Sequence, residues 1–325
     1  MTRRNKVKFL SSDNPRGLIG SSGNVTCSSA HVTRTVSNFN NNTSSAYNYL
    51  HPNMMIRSVR EFCLKYKLTQ QLGEGGYGAV YLCQHRTTLQ LHAVKIMEGD
   101  RCTNRTWCSR RKEWLPNELV LWESISHPNI VNLQEVYRDD DTFTWYLVME
   151  YNPGYQDLFD YIDKNRALSS RDSANIIRQL VNVVYYLTLE NVDHRDLKDE
   201  NILYNPTTRQ IKLIDFGSSG KLSSTPYTHY RGTDVYIPPE YFLAGSYSSF
   251  SATVWAIGCI SYVLLAGDCP FKTRQDVREF SSLEQLNPTF GERTLRLNFI
   301  RSCLNPDPAQ RILLSDLIRH PWLRV

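Results

Sequence analysis

Apolar residues recur along this chain in two patterns, one typical of strands and one typical of helices. Short apolar runs at 92–96 and 145–149 have the length of buried β-strands. Farther along, residues 158–162 and 174–189 carry apolar side chains at the spacing of a helix that buries one face. Strands therefore come first and helices afterwards, which predicts an α+β fold with a small sheet and a larger helical part.

The first 60 residues follow neither pattern. They are rich in Ser, Thr and Asn and contain few bulky apolar side chains, a composition that predicts a disordered tail. Eight basic residues and the single acid Asp13 lie in this tail, so the tail accounts for the positive net charge of +5. Without interleaved aromatic residues or an amphipathic stripe, a solvated tail is favoured over one that binds nucleic acid or a membrane. We expect neither of these as a partner.

Length and composition fit one large two-lobed domain. The 325 residues include 41% hydrophobic and 21% charged residues, which supplies enough apolar material for such a domain. No stretch approaches the roughly 18 uninterrupted apolar residues of a membrane span, and no secretory apolar run follows the first residues. Cys102 and Cys108 lack a second pair that would complete a zinc site. We expect an intracellular protein, cytoplasmic or nuclear, with reduced thiols.

A glycine-rich turn joins two predicted strands near the start of the domain. Within residues 72–81, four glycines allow backbone N–H groups to approach phosphate oxygens without interference from side chains. A hairpin turn with no function would look similar. The turn alone therefore does not identify a nucleotide site.

Two charged residues follow that need a partner. Lys95 stands within the apolar strand 92–96, where a charge is costly unless it is paired or reaches water from an edge strand. Glu118 follows Pro116, which suits the first turn of a helix, and apolar residues continue behind it. The sequence predicts an ion pair between Lys95 and Glu118.

The chemistry is carried by two phrases, residues 194–201 (His, Arg, Asp, Leu, Lys, Asp, Glu, Asn) and 215–217 (Asp, Phe, Gly). A hydroxyl that attacks a γ-phosphate needs a carboxylate to orient it and accept its proton, a cation to hold the phosphate, and metal ligands. Those roles fall to Asp196, Lys198, Asn201 and Asp215, in that order. Because both phrases follow the glycine turn, the lysine and the glutamate in the required order, the joint pattern is far more specific than any single motif.

Over residues 66–323 the chain resembles eukaryotic protein kinases, and within them the Pim family of serine/threonine kinases. Lys198, two residues after Asp196, is similar to serine/threonine kinases rather than tyrosine kinases. The narrower resemblance rests on 156–160, 213–218, 235–240 and 267–271, and on Thr253, where most kinases have Asp and Pim kinases do not. It implies a bilobal domain at 61–325, with an N-lobe (66–149) of antiparallel sheet and one main helix, a hinge (150–156) and a mostly helical C-lobe (157–323).

The resemblance also implies ATP and Mg²⁺ as cofactors and assigns residues to them. It implies that the catalytic residues are Asp196, Lys198, Lys95 and Glu118, and that the metal ligands are Asn201 and Asp215. The nucleotide-binding residues that it implies are Leu72, Gly73, Gly75, Gly76, Gly78, Val80, Ala93, Lys95, Met149, Glu150, Asn152 and Leu203. It further implies that Glu240 pairs with Arg311 and braces the helical lobe.

Two departures from the Pim pattern affect the hinge and the activation segment (218–233). Asn152 stands where Pim kinases have a proline, so a second hinge hydrogen bond to ATP is expected to return. The activation segment contains no acid, whereas Pim kinases carry acids that hold it without phosphorylation. Either a charge-swapped ion pair around Gly232 and Thr233 replaces them, or Arg195 receives a phosphate. The candidate phosphate carriers are Ser223, Ser224, Thr225 and Thr228.

Substrate preference follows from acids that the shared fold would place along the peptide groove. Asp157, Asp160 and Glu200 would select arginines upstream of the target Ser or Thr, and Thr233 would also contact the substrate. We therefore expect a monomeric kinase of basic protein substrates. Because Lys272 and Arg274 replace acids found in Pim kinases, the distal basic preference should be weaker. The basic segment 98–115 favours a solvated connection over a docking loop.

Two other function classes fit this sequence less well than a protein kinase. A pseudokinase scaffold is disfavoured because the lysine, the base and both metal ligands are all present. A small-molecule kinase of similar fold is disfavoured by residues 232–233 and 238–240, which resemble a docking segment for protein substrates.

Overall fold

The computed structural model describes residues 54–76, 78–99, 104–108, 111–286 and 294–325. Most of the predicted disordered tail, together with Cys102, lies outside these ranges. Within them the chain forms two lobes that meet at the segment after residue 150, as expected for the bilobal α+β fold.

The smaller lobe is built around a six-stranded sheet. Its elements are β1 (Ile56–Ser58), α1 (Val59–Lys65), β2 (Tyr66–Gly75), β3 (Gly78–His85), β4 (Leu91–Met97), β5 (Arg105–Cys108), β6 (Glu113–Pro116), α2 (Asn117–Glu123), β7 (Leu133–Asp139) and β8 (Thr144–Glu150). The strand order is β1-β7-β8-β4-β3-β2. Neighbours run antiparallel except β1, which runs parallel to β7. The antiparallel sheet is therefore confirmed, with one parallel edge strand added.

The predicted boundary between tail and domain, at residues 60 and 61, falls inside α1 and is too late. Ile56 pairs with Val136 of β7, and Phe62 is buried against Tyr137. Ser58 caps α1 in a capping box with Glu61, in which each side chain accepts the other residue's backbone N–H. The capping box was readable from the sequence. The three-residue strand before it was not, because its partner lies about eighty residues away.

The basic segment 98–115 contains more structure than a solvated connection. Strands β5 and β6 form an antiparallel hairpin directly before α2, with Trp107 opposite Trp114. Their rings meet edge to face at 5.6 Å, and both are substantially exposed. The cross-strand aromatic pair stabilises the hairpin from one face.

The larger lobe is mainly helical, as predicted. Its elements are β9 (Gln156–Asp157), α3 (Leu158–Asn165), α4 (Ser170–Leu189), β10 (Val192–Asp193), β11 (Ile202–Asn205), β12 (Gln210–Leu213), β13 (Gly220–Lys221), α5 (Pro239–Ala244), α6 (Ser249–Ala266), α7 (Arg274–Arg278), α8 (Leu295–Cys303) and α9 (Leu314–Leu317). The predicted helical stretch 174–189 lies within α4, whose apolar face is buried. Strand β11 joins β12 and β9 in a small sheet below the hinge.

Helix α6 forms the centre of this lobe. It is long and apolar enough to cross a membrane by length and composition, but 67% of it is buried inside the protein. It packs against α4 and α8, and Trp255 on its buried side has no exposed surface. Its hydrophobicity is therefore that of a core helix.

A buried ion pair braces the lobe at the edge of α6. Each guanidinium nitrogen Nη1 and Nη2 of Arg311 donates to one carboxylate oxygen of Glu240, both at 2.9 Å. The guanidinium also lies over the Trp255 ring, 5.0 Å from its centroid. This is the pair that the family resemblance implied. The carbonyl oxygens of Asn305 and Ser251 accept further N–H groups of the guanidinium, so the pair is satisfied away from water.

We predict that replacing Arg311 with Met lowers the free energy of unfolding by about 3–5 kcal/mol, because Glu240 would remain buried without its cation. Urea denaturation followed by tryptophan fluorescence measures this change. Arg301→Met is the matched control, since Arg301 pairs with Glu284 where both side chains are more than half exposed. The control should cost less than about 1 kcal/mol. Equal losses in the two variants would contradict the bracing role.

Candidate active site

The glycine-rich turn between β2 and β3 roofs a deep cleft. Gly75 pairs with Gly78 across the turn. Gly78 has a φ of 141°, and a Cβ there would lie 2.2 Å from the carbonyl oxygen of Ile96, so no other residue fits. At Gly75 and Gly76 a Cβ would meet nothing within 4 Å, which leaves this stretch of backbone accessible from the cleft.

The cleft has a volume of about 510 Å³, including space open to solvent, and this is within the range of small-molecule sites. Its lining residues are Gly75, Gly76, Gly78, Val80, Lys95, Glu118, Trp122, Met149, Ile214 and Asp215. Eight of these were predicted, whereas Trp122 and Ile214 were not. Leu72, Gly73 and Ala93 lie in the strands beside the cleft, where Gly73 pairs with Val80 and Ala93 with Met149.

The remaining predicted nucleotide residues lie at the hinge. Glu150, Asn152 and Leu203 line a smaller recess next to the main cleft. Oε1 of Glu150 accepts hydrogen bonds from Lys212 Nζ (2.7 Å) and from the N–H of Asn132 (2.8 Å). The side chain of Asn152 accepts the N–H of Gly154 at 2.9 Å. The second hinge hydrogen bond through the Asn152 N–H stays a prediction.

Lys95 joins three elements through two carboxylates. Its Nζ donates to Glu118 Oε1 at 2.6 Å and Oε2 at 2.8 Å, and to Asp215 Oδ1 at 3.0 Å. The predicted pair with Glu118 is therefore present, on β4 and α2. The pair with Asp215 extends it to the segment after β12.

Burial and charge act in opposite directions within this cluster. Burial alone would lower the pKa of Lys95, but Asp215 and Glu118 outweigh it and raise the pKa above its usual value. Burial raises the pKa of Glu118, against the opposing effect of Lys95. Burial also disfavours ionised Asp215, yet Lys95 holds the pKa of Asp215 below its usual value. The ionised cluster has two carboxylates and one ammonium, so a net negative charge faces the cleft.

The carboxylate of Asp196 is held by three hydrogen bonds and one ion pair. Its Oδ1 accepts from the N–H and the Oγ1 of Thr233, both at 3.0 Å. Its Oδ2 lies 3.1 Å from Lys198 Nζ and accepts from Asn201 Nδ2 at 3.2 Å. Lys198 Nζ also donates to Thr233 Oγ1 at 2.7 Å. Thr233, predicted to bind substrate, therefore orients the base as well.

An aromatic stack connects the catalytic loop to α2. The His194 ring meets Phe216 edge to face at 5.1 Å, and Phe216 stacks on Trp122 at 6.2 Å. His194 Nε2 is 3.1 Å from the carbonyl oxygen of Ile214. Sequence reasoning missed Trp122 because its role depends on packing against a residue almost a hundred positions away. Its place one helical turn after Glu118 was the available signal.

The proposed metal ligands offer oxygen donors of the kind Mg²⁺ prefers. Asn201 Nδ2 donates to Asp196, so the amide oxygen of Asn201 is directed away from that residue. Asp215 stays ionised beside Lys95. In the described ranges no cluster of three His, Cys, Asp or Glu forms a metal site. Because Mg²⁺ commonly uses one or two protein oxygens and keeps several waters, this sparse set still fits it.

The predicted peptide-groove acids occupy different depths. Asp157 is 2% exposed and caps α3, where its Oδ1 accepts the N–H of Phe159 at 2.8 Å. Burial, with Asp160 nearby, raises the pKa of Asp157 to about 8. Asp160 and Glu200 are only partly buried, and α3 packs on the 3₁₀ turn Asp199–Asn201 that carries Glu200. The structure thus brings the three acids to one region, with Asp157 behind the others as a helix cap.

Known proteins that are similar to this chain are protein kinases. Residues 66–323 match the protein kinase domain family. The chain is 31% identical over 269 residues to serine/threonine-protein kinase pim-2 of Danio rerio, covering 80% of this chain and 84% of that protein. It is 33% identical to serine/threonine-protein kinase prk-2 of Caenorhabditis elegans, covering 82% of this chain and 60% of that protein. Calcium-dependent protein kinase 5 of Plasmodium falciparum is 32% identical over 78% of this chain and 44% of its own length.

The network around Asp196 predicts graded losses of phosphate transfer. Asp196→Asn removes the proton acceptor and should lower kcat by about 10²- to 10⁴-fold. Thr233→Val keeps the shape and the backbone N–H but removes the hydroxyl that touches Asp196 and Lys198. We expect about a tenfold loss of kcat, the effect of one or two hydrogen bonds.

Steady-state transfer of ³²P from Mg-ATP to a serine peptide measures both losses. Thr188→Val, which removes a half-buried hydroxyl of α4, is the control for the Thr-to-Val change and should leave kcat unchanged. A Thr233→Val variant with full activity would refute the orienting role of that side chain.

Proposed function

The chain belongs to the protein kinase family and is an ATP-dependent serine/threonine kinase, and we propose that it has a Pim-like preference for Ser or Thr downstream of arginine. The observation that carries this proposal is the cluster of acids beside the catalytic loop. Asp160 of α3 and Glu200 of the 3₁₀ turn stand at the front of that cluster, with buried Asp157 behind them.

Electrostatic attraction in this groove supports arginine rather than a neutral residue. Asp160 and Asp199 both raise the pKa of Asp157, so the acids are close enough to repel one another. A guanidinium placed among them would relieve that repulsion and form two-point hydrogen bonds. The groove therefore gains more from binding arginine than from binding alanine or an acid.

Beyond the three acids, two cations neutralise nearby carboxylates. Arg274 of α7 pairs with Asp234 at 2.6 Å, and Lys272 pairs with Asp268. An acid that is already paired with a cation attracts additional basic residues, farther from the phosphorylated Ser or Thr, less strongly. We propose that the basic preference is concentrated near the target residue.

The proposed chemistry follows from the geometry around Asp196. Its carboxylate accepts the proton of the substrate hydroxyl, while Thr233 and Lys198 hold it in place. Lys95 binds the α- and β-phosphates, and the backbone of Gly73, Gly75, Gly76 and Gly78 covers them. Mg²⁺, bound by Asn201 and Asp215, would supply charge neutralisation of the triphosphate.

The same proposal assigns the adenine pocket and the cellular context. Val80, Ala93 and Leu203 enclose adenine, with Met149 at the back and the Glu150 carbonyl as hinge acceptor. We propose a monomer that acts on protein substrates inside the cell, in cytoplasm or nucleus. None of the six cysteines of the described ranges forms a disulfide, which supports a reducing compartment.

Replacing Asp160 with Asn should reduce selectivity for arginine. With paired peptides that carry Arg or Ala three residues before the target serine, the ratio of kcat/KM values should fall by about tenfold in the variant, as expected for loss of one charged contact. Activity toward the Ala peptide should stay unchanged.

Asp163→Asn is the matched control, because it removes the same charge from an exposed position of the same helix. That variant should keep the wild-type ratio. If wild-type enzyme phosphorylates both peptides equally, the arginine preference is wrong, although kinase activity itself would stand.

Selectivity for arginine should also increase with pH. Asp157, with a pKa raised to about 8, is mainly protonated at neutral pH and becomes negative above pH 8, while the arginine of the peptide stays charged. The ratio of kcat/KM for the Arg and Ala peptides should therefore rise between about pH 7 and 9. Asp157→Asn preserves the helix cap and should abolish the rise. A pH-independent ratio in wild-type enzyme would contradict the role of Asp157.

A further inference from the structure

Arg195, next to the catalytic base, is enclosed on several sides. Its side chain is 16% exposed, and its backbone has a φ of 63° in the left-handed region. Its Nη2 donates to the hydroxyl of Tyr227 at 2.8 Å and to the carbonyl oxygen of Lys221 at 3.2 Å. The position of this guanidinium is therefore fixed by the protein's own groups.

Asp193 supplies a negative charge to Arg195 from the adjoining strand. It lies in β10, is 5% exposed, and its Oδ2 is 3.7 Å from Arg195 Nε. The hydroxyl of Ser249, at the first residue of α6, donates to the same oxygen at 2.5 Å. Asp193 thus connects the segment that carries the base to the central helix of the lobe. A buried carboxylate in such a position requires these partners.

Tyr227 contacts Arg195 from the activation segment. The guanidinium carbon lies 4.4 Å from the centroid of its ring, and the Tyr227 hydroxyl donates to Lys221 O at 3.0 Å. Its backbone forms two hydrogen bonds with Tyr247, at 2.9 and 3.0 Å. Tyr227 therefore binds Arg195 through a cation–π interaction and through a hydrogen bond.

Gly220 completes the enclosure. It pairs with Asp193 across the two strands β10 and β13. A Cβ at this position would lie 2.3 Å from Arg195 Nη2 and 2.4 Å from its Cζ. Its φ lies outside the left-handed region, so the guanidinium, and not backbone strain, excludes a side chain here. Glycine is needed because the arginine occupies the space.

The hydroxyls that were candidates for phosphorylation make other contacts. Ser223 Oγ lies 2.9 Å from Thr225 Oγ1, and Thr228 Oγ1 lies 3.1 Å from His229 Nδ1. Arg195 instead uses Tyr227 and Lys221 as acceptors. Nη2 of Arg195 is thus already engaged within the fold, and Nε is buried without a hydrogen-bond partner, 3.7 Å from Asp193 Oδ2.

We propose that Asp193 and Tyr227 are positioning residues that hold Arg195 in place of an activation-segment phosphate. Asp193 supplies the counter-charge and Tyr227 ties the segment to the guanidinium. A phosphate added at this point would face the carboxylate of Asp193 and would have to displace the tyrosine. Phosphorylation of residues 223–228 is therefore unnecessary for phosphate transfer. This inference does not depend on the proposed arginine preference.

The first test uses the full chain before and after phosphatase treatment, with intact mass confirming removal of phosphate. We expect kcat to stay within about twofold. The variant with Ser223, Ser224, Thr225 and Thr228 all replaced by Ala should behave like wild type. A loss of about tenfold or more on phosphatase treatment, or in this variant, would overturn the proposal.

The second test removes the contacts of the Tyr227 side chain with Arg195. Tyr227→Phe keeps the ring and should lose less than about threefold in kcat, whereas Tyr227→Ala should lose about 10- to 100-fold because the base is no longer fixed. KM for ATP should change little, since the nucleotide cleft is separate. Tyr185→Ala, at an exposed tyrosine of α4, is the control. Full activity in Tyr227→Ala would overturn the proposal.

Asp193→Asn and Gly220→Ala test the same contact from the other sides. Asp193→Asn removes the charge and keeps the shape, and it should lower kcat by about tenfold. Gly220→Ala displaces the guanidinium while the side chains of both positioning residues stay unchanged, and it should reproduce the kcat loss of Tyr227→Ala. Because its backbone is unstrained, its thermal midpoint should stay near wild type. If Tyr227→Ala fails to fold, wild-type kcat in Gly220→Ala overturns the proposal and a matching loss supports it.

Discussion

The ammonium group of Lys95 is the point at which the two lobes are joined electrostatically. It contacts Glu118 of α2 at 2.6 Å and Asp215 of the larger lobe at 3.0 Å. Removing one member of a buried ion pair leaves an uncompensated charge, so each of the three residues depends on the other two. The orientation of α2 therefore determines whether Asp215 is correctly placed. Trp122 lies one turn after Glu118 and stacks on Phe216, which contacts His194. The aromatic stack therefore also depends on the orientation of α2.

The aromatic stack also constrains the position of Asp196, because His194 lies two residues before it. His194 begins the segment in which Arg195, directly before Asp196, takes a left-handed backbone conformation. Asp215 takes a similar conformation, with a φ of 65°. Such backbone costs about 1–3 kcal/mol per residue and persists only where the surroundings enforce it. Here the enforcing contacts are the pair of Asp215 with Lys95 and the hydrogen bonds of Asp196 with Thr233.

The sequence predicted the parts of this arrangement that are encoded locally. The glycine turn, the strand with Lys95 and the two catalytic phrases are short motifs whose spacing carries their meaning. The structure brings the glycine turn, Lys95 and Asp215 to one cleft. The parallel strand β1, the stack on Trp122 and the contact of Tyr227 with Arg195 were not predicted. Each of these depends on residues 30 or more positions apart, and neither periodicity nor propensity reports such distances. Asp157 was assigned to substrate alone because its helix-capping role depends on where α3 begins.

Buried acids in this protein differ in what neutralises them. Glu118 and Glu240 have full cationic partners, and Asp193 has Arg195 and a serine hydroxyl. Asp157 accepts two backbone N–H groups, and the acids near it repel its ionised form. Among the described residues no cation pairs with it. A carboxyl group whose pKa is raised to about 8 favours its neutral form at physiological pH. Such a cost is tolerated where function requires it. Under the proposed arginine preference, the arginine of a substrate is the cation whose arrival would lower that pKa, so binding of a basic peptide would release the Asp157 proton and would strengthen as the pH rises.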